Sequence, residues 1–367
     1  MVVMALDHTR DFLASGGGDP RDISQPWMFL TRWITHFCAP VFVLLAGVSA
    51  FLYANRGRSI PEVSRFLLTR GLWLIVLEFT IIRVGWTFGL FPEFIDAQVI
   101  WMIGWCMIAL SALVFLPRPA IAVIGLAMIL GHNLLDGLAA KDFGDARWIW
   151  MILHQPGPLH PHEGIVFYVA YPLIPWIGVI AVGYAMGPIA IGSSQLRRRW
   201  LLRIGLGACL GFAALRSFNI YGNPTPWALQ DGAFSRFLSF VNCEKYPASL
   251  LFLLMTLGPA IALLPFLEEV RGAIAQSLIT IGRVPLFYYV VHIPLIHLVA
   301  VVVALATGFG ATWLFGGFPI GSKPVGYGIG LPVVYLLWFV VVVALVPLCR
   351  WLSGVKQRRS DWWLSYL

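Results

Sequence analysis

The sequence predicts an all-α polytopic membrane protein, with about ten transmembrane helices in one domain over residues 1–367 and both termini cytoplasmic. Three observations predict it. The 367 residues are 59% hydrophobic and only 11% charged, with a mean hydropathy of +0.82, whereas a soluble domain carries about 25% charged residues. Apolar runs of about 20 residues recur along the whole chain, the length a helix needs to cross a bilayer core. The basic residues between those runs gather on alternate loops. A membrane barrel would show short alternating segments instead.

The spans fall at 1–14, 27–54, 66–90, 98–116, 119–135, 164–188, 200–218, 247–266, 277–306 and 329–352. The first is short for a crossing. Its apolar stretch already begins at Met1, so a slightly longer natural start, or a misassigned start codon, is expected. It lacks the basic n-region and small-residue cleavage site of a signal peptide. Arg56, Arg58 and Arg65 separate spans 2 and 3, and Arg118 separates 4 and 5. Arg197, Arg198 and Arg199 separate 6 and 7, Arg271 separates 8 and 9, and Lys356, Arg358 and Arg359 follow span 10. All fall on one side under this count, and that side is cytoplasmic. The opposite loops, 15–26, 91–97, 136–163, 219–246 and 307–328, are richer in Gly, Pro, Asn, Asp and Trp. Trp148 to Leu153 is too short to span and lies in the interface or re-enters.

The net charge of +8 is that of cytoplasmic loops and does not imply nucleic acid. Cys38, Cys106, Cys209, Cys243 and Cys349 are scattered and odd in number, which argues against a disulfide framework and a zinc site. No internal repeat of the transporter kind is visible. Gly16-Gly17-Gly18 carries no specific signal, and there is neither a phosphate loop nor a nucleophile elbow.

Ionisable residues inside a membrane are costly, which marks them as candidates for function. His36 stands at the mouth of span 2, one turn before Pro40, with Thr35 and Cys38 in the same turn. A histidine there is partly dry, meets an aqueous acceptor, and moves a proton near neutral pH. The bland alternative is an anchor for the helix end. His8, in the neighbouring span, is expected beside it, with Asp7 or another carboxylate orienting one of the imidazoles. Arg10 and Asp11 read as a helix terminus with an internal ion pair. Glu78 and Arg83 lie inside span 3 at a spacing that does not let them pair with each other, so each pairs across helices or Arg83 holds an anion. Span 9 carries Arg283, Tyr288, Tyr289, His292 and His297 and must face the bundle interior. His154, His160 and His162 lack metal-ligand spacing and read as a solvated loop, so no metal is expected.

Met4-Ala-Leu-Asp7-His8-Thr-Arg10-Asp11-Phe, Thr31-Arg-Trp33-Ile-Thr-His36-Phe-Cys-Ala-Pro40-Val-Phe and Leu45-Ala-Gly47-Val-Ser resemble the bacterial DUF1624 membrane-protein group. That group is similar to the catalytic domain of heparan-alpha-glucosaminide N-acetyltransferase. Phe66-Leu-Leu-Thr-Arg70-Gly71-Leu-Trp, Gly131-His132-Asn133-Leu-Leu-Asp136-Gly, Ala170-Tyr-Pro-Leu-Ile-Pro175-Trp176 and Gly282-Arg283-Val-Pro-Leu-Phe-Tyr-Tyr fit the same group.

The resemblance implies a membrane-embedded acyltransferase that moves an acyl group, acetyl by analogy, from cytoplasmic acetyl-CoA to an extracytoplasmic glycan amine or hydroxyl. The family's active-site histidine maps onto His36, which acts as general base or carries the acyl group briefly. A family asparagine maps near His8, so the imidazole there is a departure. The resemblance places catalysis on His36, His8 and Asp7 and the donor on Arg70, Arg83, Arg283 and Tyr288, since Arg suits phosphate. The expected setting is the bacterial inner (cytoplasmic) membrane, with acyl-CoA, a glycan or small acceptor and membrane lipid as partners, no nucleic acid, and a homodimer left open. The competing reading is a proton-coupled transporter or flippase without covalent chemistry, using His8, Glu78 and His292.

Overall fold

The computed structural model describes every residue except 16–18, 20, 91–93, 318–322, 360, 362–363 and 365–367. The Gly16-Gly17-Gly18 stretch therefore lies outside the described residues. The chain is a helical, polytopic membrane protein. In order it forms α1 (Val2–Leu13), α2 (Pro26–Thr35), α3 (Cys38–Ala54) and α4 (Ile60–Leu77), which runs through a π-helical turn (Glu78–Ile82) into α5 (Arg83–Thr87). There follow β1 (Phe94–Ala97), α6 (Val99–Leu113), α7 (Arg118–Gly131) with a 3₁₀ turn (His132–Leu135), α8 (Arg147–Leu153), β2 (Gly157–His162) and β3 (Ile165–Val169). The remainder is α9 (Leu173–Ile191), α10 (Ser194–Ser217), α11 (Ala233–Val241), α12 (Leu250–Leu267), α13 (Ala273–Arg283), α14 (Pro285–Ala306) and α15 (Leu331–Arg358).

Among the described residues, 7 helical segments are long and apolar enough to cross a membrane, the first being the combined stretch Pro26–Ala54. Helix α6 is apolar but shorter. Each expected span carries helix, but prolines and local composition move its edges. Span 2 breaks at His36–Phe37, because Pro40 has no N–H to give the His36 carbonyl and its ring crowds that carbonyl. Span 9 breaks at Val284, which Pro285 pushes out of helical conformation to φ −129°, ψ 52°. The opening of the expected sixth span is strand β3, since Ile-Val-Phe-Tyr-Val suits a pleated surface better than a helix. β1 pairs with β3 in parallel, Phe94 opposite Val166, and β2 pairs with β3 antiparallel, Gly157 opposite Val169.

Loops of each expected set contact one another: Arg197 binds Glu268 at 2.9 Å and Arg198 binds Glu269 at 3.2 Å, while Arg21 binds Glu244 at 2.9 Å and Ala14 bridges to Ile329.

Helices in lipid approach closely where their side chains are smallest. A Cβ on Gly47 of α3 would lie 2.1 Å from the Ile180 carbonyl oxygen of α9, and one on Gly183 of α9 would lie 2.2 Å from the Leu44 oxygen. Gly71 of α4 and Gly104 of α6 meet the same way, at 2.6 and 2.7 Å from each other's carbonyl oxygens. Backbone cannot yield as a side chain can. Gly47→Val is expected to destabilise the bundle by about 3 kcal/mol or more through overpacking. A thermal unfolding midpoint in detergent equal to that of the parent protein would refute the seam.

Candidate functional site

His36 sits where α2 ends and α3 begins, a position created by Pro40. It is 5% exposed, and neither ring nitrogen meets a hydrogen-bonding group. Its ring stands edge-on to Phe252 of α12, with centroids 5.3 Å apart. Lys245, Arg32, Asp7 and Arg10 all lie within Coulombic range of the imidazole.

Three of those four charges come from the first two helices. Arg10 reaches Asp7 at 2.9 Å and also pairs with Asp11, so it makes both ion pairs its spacing allows. Asp7 is thus held by Arg10. The Arg32 Nε is buried without a hydrogen-bond acceptor. Lys245 arrives from the segment between α11 and α12. It is 7% exposed, with Nζ 5.0 Å from the Tyr246 ring and 5.7 Å from the Tyr171 ring. Tyr246 donates to the Tyr171 hydroxyl at 3.4 Å. Such cation–π contacts hold an ammonium with little hydration.

Sequence reading does not single out Arg32 or Lys245, yet a signal was present. Both are cations at the membrane edge on the side where the loop charges leave few, so lipid orientation does not account for them.

His8 has a hydrogen-bond partner of its own. Its Nδ1 lies 2.8 Å from Nε2 of His292 in α14, and the ring packs edge-on to Trp86 at 4.8 Å. His292 Nδ1 donates to the Tyr288 carbonyl at 2.9 Å, so its Nε2 is the acceptor and His8 Nδ1 the donor. His297 is likewise engaged, at 3.0 Å from the Gly85 oxygen and 2.9 Å from the Leu314 oxygen.

Glu78 and Arg83 both act across elements, and neither in an ion pair among the described residues. The π-helical turn aims the buried Glu78 carboxylate at the first turn of α6, where it accepts the Trp101 N–H at 2.9 Å. Unpaired N–H groups at a helix start favour such an acceptor. Arg83 donates to the Leu90 carbonyl at 2.7 Å, and its Nη1 is buried without a partner.

Beside this turn, on β1, Asp96 accepts from Gln98 at 2.8 Å. Burial pushes its carboxyl up to about 7, the Gln98 hydrogen bond opposing only part of that rise. An unfolded Asp titrates near 3.9. Between the two values the folded chain holds a proton that the unfolded chain has lost. This group's contribution is therefore full below pH ~4 and is lost as pH rises through about 7. Asp96→Asn should raise the unfolding midpoint at pH 8, by about 2 °C, and leave it nearly unchanged at pH 4. Equal shifts at both pH values would contradict this.

The expected donor-binding residues are spread out. Arg70 and Arg83 share the α4–α5 rod, about 20 Å apart at about 1.5 Å per residue, so they cannot grip one phosphate. Arg70 lies over the Phe66 ring at 5.9 Å and within Coulombic range of Lys356 of α15. Arg283 is exposed at the end of α13, and Tyr288 is fully buried with no partner for its hydroxyl.

His160 and His162 are exposed but lie on strand β2 rather than in a loop, whereas His154 is buried beside His132 and Asp136. Spacing alone did not pair His132 with the loop histidines. The available signal was the i,i+4 placement of His132 and Asp136 where α7 ends.

The family model for heparan-alpha-glucosaminide N-acetyltransferase, catalytic, matches residues 1–222 of the 367. The matched part holds His8, Arg32, His36, Arg70 and Arg83, and stops short of Lys245 and His292. No curated protein and no solved structure matches the chain.

Proposed function

The chain belongs to the family of the heparan-alpha-glucosaminide N-acetyltransferase catalytic domain, and from that premise we propose that it transfers an acetyl group from acetyl-CoA to an amine or hydroxyl of an extracytoplasmic glycan. The setting we infer is the bacterial inner membrane. His36 carries the proposal: it is a buried imidazole with no hydrogen-bond partner, within Coulombic range of Arg32, Lys245 and the Asp7–Arg10 pair. A neutral imidazole offers one nitrogen lone pair to an incoming acceptor.

In the step we assign, His36 takes the proton of the acceptor N–H or O–H as its nitrogen or oxygen bonds to the thioester carbonyl carbon. The carbonyl oxygen becomes an oxyanion, which the charges of Arg32 and Lys245 stabilise in a poorly hydrated site. Collapse breaks the carbon–sulfur bond, and the proton on His36 neutralises the departing thiolate. Asp7 acts on this centre through Arg10, as a positioning group. His8 positions α1 against α14 through His292. Arg70 and Lys356 supply positive charge for the donor's phosphates, with Arg83, Arg283 and Tyr288 as further contacts along its course.

A transporter that relays protons from His8 through His292 has less support. His292 Nδ1 points at a backbone carbonyl, which can accept a hydrogen bond but cannot pass a proton on.

Purified protein supplied with labelled acetyl-CoA and an amino sugar tests the reading. Free thiol and labelled sugar should appear together in equal amounts. Accumulation of the sugar across a vesicle membrane without thiol release would replace the enzyme with the transporter.

A further inference from the structure

Apart from the acyl-transfer site, a second group of titratable side chains converges where α7 ends. His132 opens the 3₁₀ turn (His132–Leu135) that closes α7, and Asp136 follows as its C-terminal cap. His154 comes to them from the C-terminal end of α8. One ligand atom from each of His132, Asp136 and His154 lies within 4.8 Å of the other two. The closest pair is His154 Nε2 and Asp136 Oδ1, at 3.1 Å.

Two features point to a ligand rather than to packing. His132 is 2% exposed and His154 3%, yet both nitrogens of His132 and the Nδ1 of His154 have no hydrogen-bond partner. Buried imidazole nitrogens are normally satisfied, so three orphans in one place need an explanation. The carboxylate is also held in place: Asn133 donates to Asp136 Oδ2 at 2.8 Å, while its own side-chain oxygen accepts the Leu250 N–H of α12 at 2.9 Å. An outer contact that orients a ligating carboxylate is a common feature of metal sites. Trp150 packs against His154 at 5.1 Å, and Asp136 is exposed on its outer side, which leaves a path for entry.

We propose that His132, Asp136 and His154 bind a divalent transition-metal ion of the zinc class. Two imidazoles and a carboxylate are ligands that zinc takes at about 2.0–2.2 Å. The His154 and Asp136 ligand atoms, 3.1 Å apart, already stand near the spacing of two tetrahedral ligands, and the His132 nitrogen lies within 4.8 Å of both. The ion ties α7 to α8, and through Asn133 to the start of α12, and it leaves a coordination position toward solvent.

Cobalt(II) is the probe, because its visible absorption reports coordination directly. Titrating the purified, chelator-treated protein in detergent with Co²⁺ should give one equivalent of a tetrahedral-type band, displaced by one equivalent of Zn²⁺. Zn²⁺ should also raise the unfolding midpoint. His132→Ala and Asp136→Asn should each weaken binding by about 100-fold or more, a loss at least that of disturbing an outer contact. The exposed pair His160 and His162 controls for adventitious capture, and their double alanine variant should bind as the parent does. Absence of the band in the parent protein, or its loss only in the His160/His162 variant, would overturn the site. The parent titration decides the matter even if His132→Ala fails to fold.

Discussion

His36→Ala should abolish acetyl transfer, by about 10³-fold or more, in a protein that still folds. General base catalysis is worth about 10²–10⁴-fold, and the water that could replace the imidazole is a far weaker base. Folding survives because His36 makes no hydrogen bond whose partner would be stranded. The loss is the edge contact to Phe252 and a modest cavity. Its midpoint should therefore stay within about 4 °C of the parent, the shift expected for ~1–2 kcal/mol in a large chain. His292→Ala is the contrasting control. It strands the buried Nδ1 donor of His8, and a lost partner of that kind costs about 1–3 kcal/mol. Its defect should appear in the midpoint as well as in the rate. Full turnover by His36→Ala, measured as thiol release with acceptor present, would end the assignment; failure of both variants to fold would show instead that His36 is structural.

What the sequence discloses about this protein follows the range of each interaction. Apolar run length is local, so the helical membrane class was legible, and Pro40 and Pro285 could be seen where the chain later breaks. Strand β3 was not legible, because five apolar residues beside a long apolar run look like its first turns until their partners in β1 and β2 are known. His36 stood out alone, for it is an ionisable group at the edge of a span. Its surroundings did not, since Lys245 reaches it from more than two hundred residues away. The hydrogen-bond partner of His8 was not legible either, since the packed bundle brings it His292 from α14. The pairing of His132 with His154 escaped notice for the same reason: the ligands sit on two elements that meet only after the loop between them folds.

Lys245 depends in turn on a residue that sequence reading passed over. Arg216, at the end of α10, is 2% exposed and gives its whole guanidinium to backbone carbonyls. Nε donates to Phe240 at 2.9 Å, Nη1 to Thr225 at 2.9 Å, and Nη2 to Ser239 at 3.2 Å and Asn242 at 2.8 Å. The C-terminal end of α11 leaves just such carbonyls without helical partners. One planar fork therefore closes α11 and fixes the segment that delivers Lys245 and Tyr246 to the site. Arg216→Ala leaves the Thr225 oxygen its bond from Asn223 and the Ser239 oxygen its bond from the Asn242 N–H, but strands those of Phe240 and Asn242, and at about 1–3 kcal/mol for each that stays buried the expected loss is about 2–6 kcal/mol. Arg216→Lys should restore little, because an ammonium has three donors and no planar fork to span four acceptors. If the loop detaches without global unfolding, protease cleavage between residues 219 and 246 should rise while the rest of the bundle resists. Catalysis should then fall through loss of the Lys245 charge. A variant with parental cleavage and parental midpoint would show that the freed carbonyls are satisfied without the guanidinium and that Arg216 does not organise the loop.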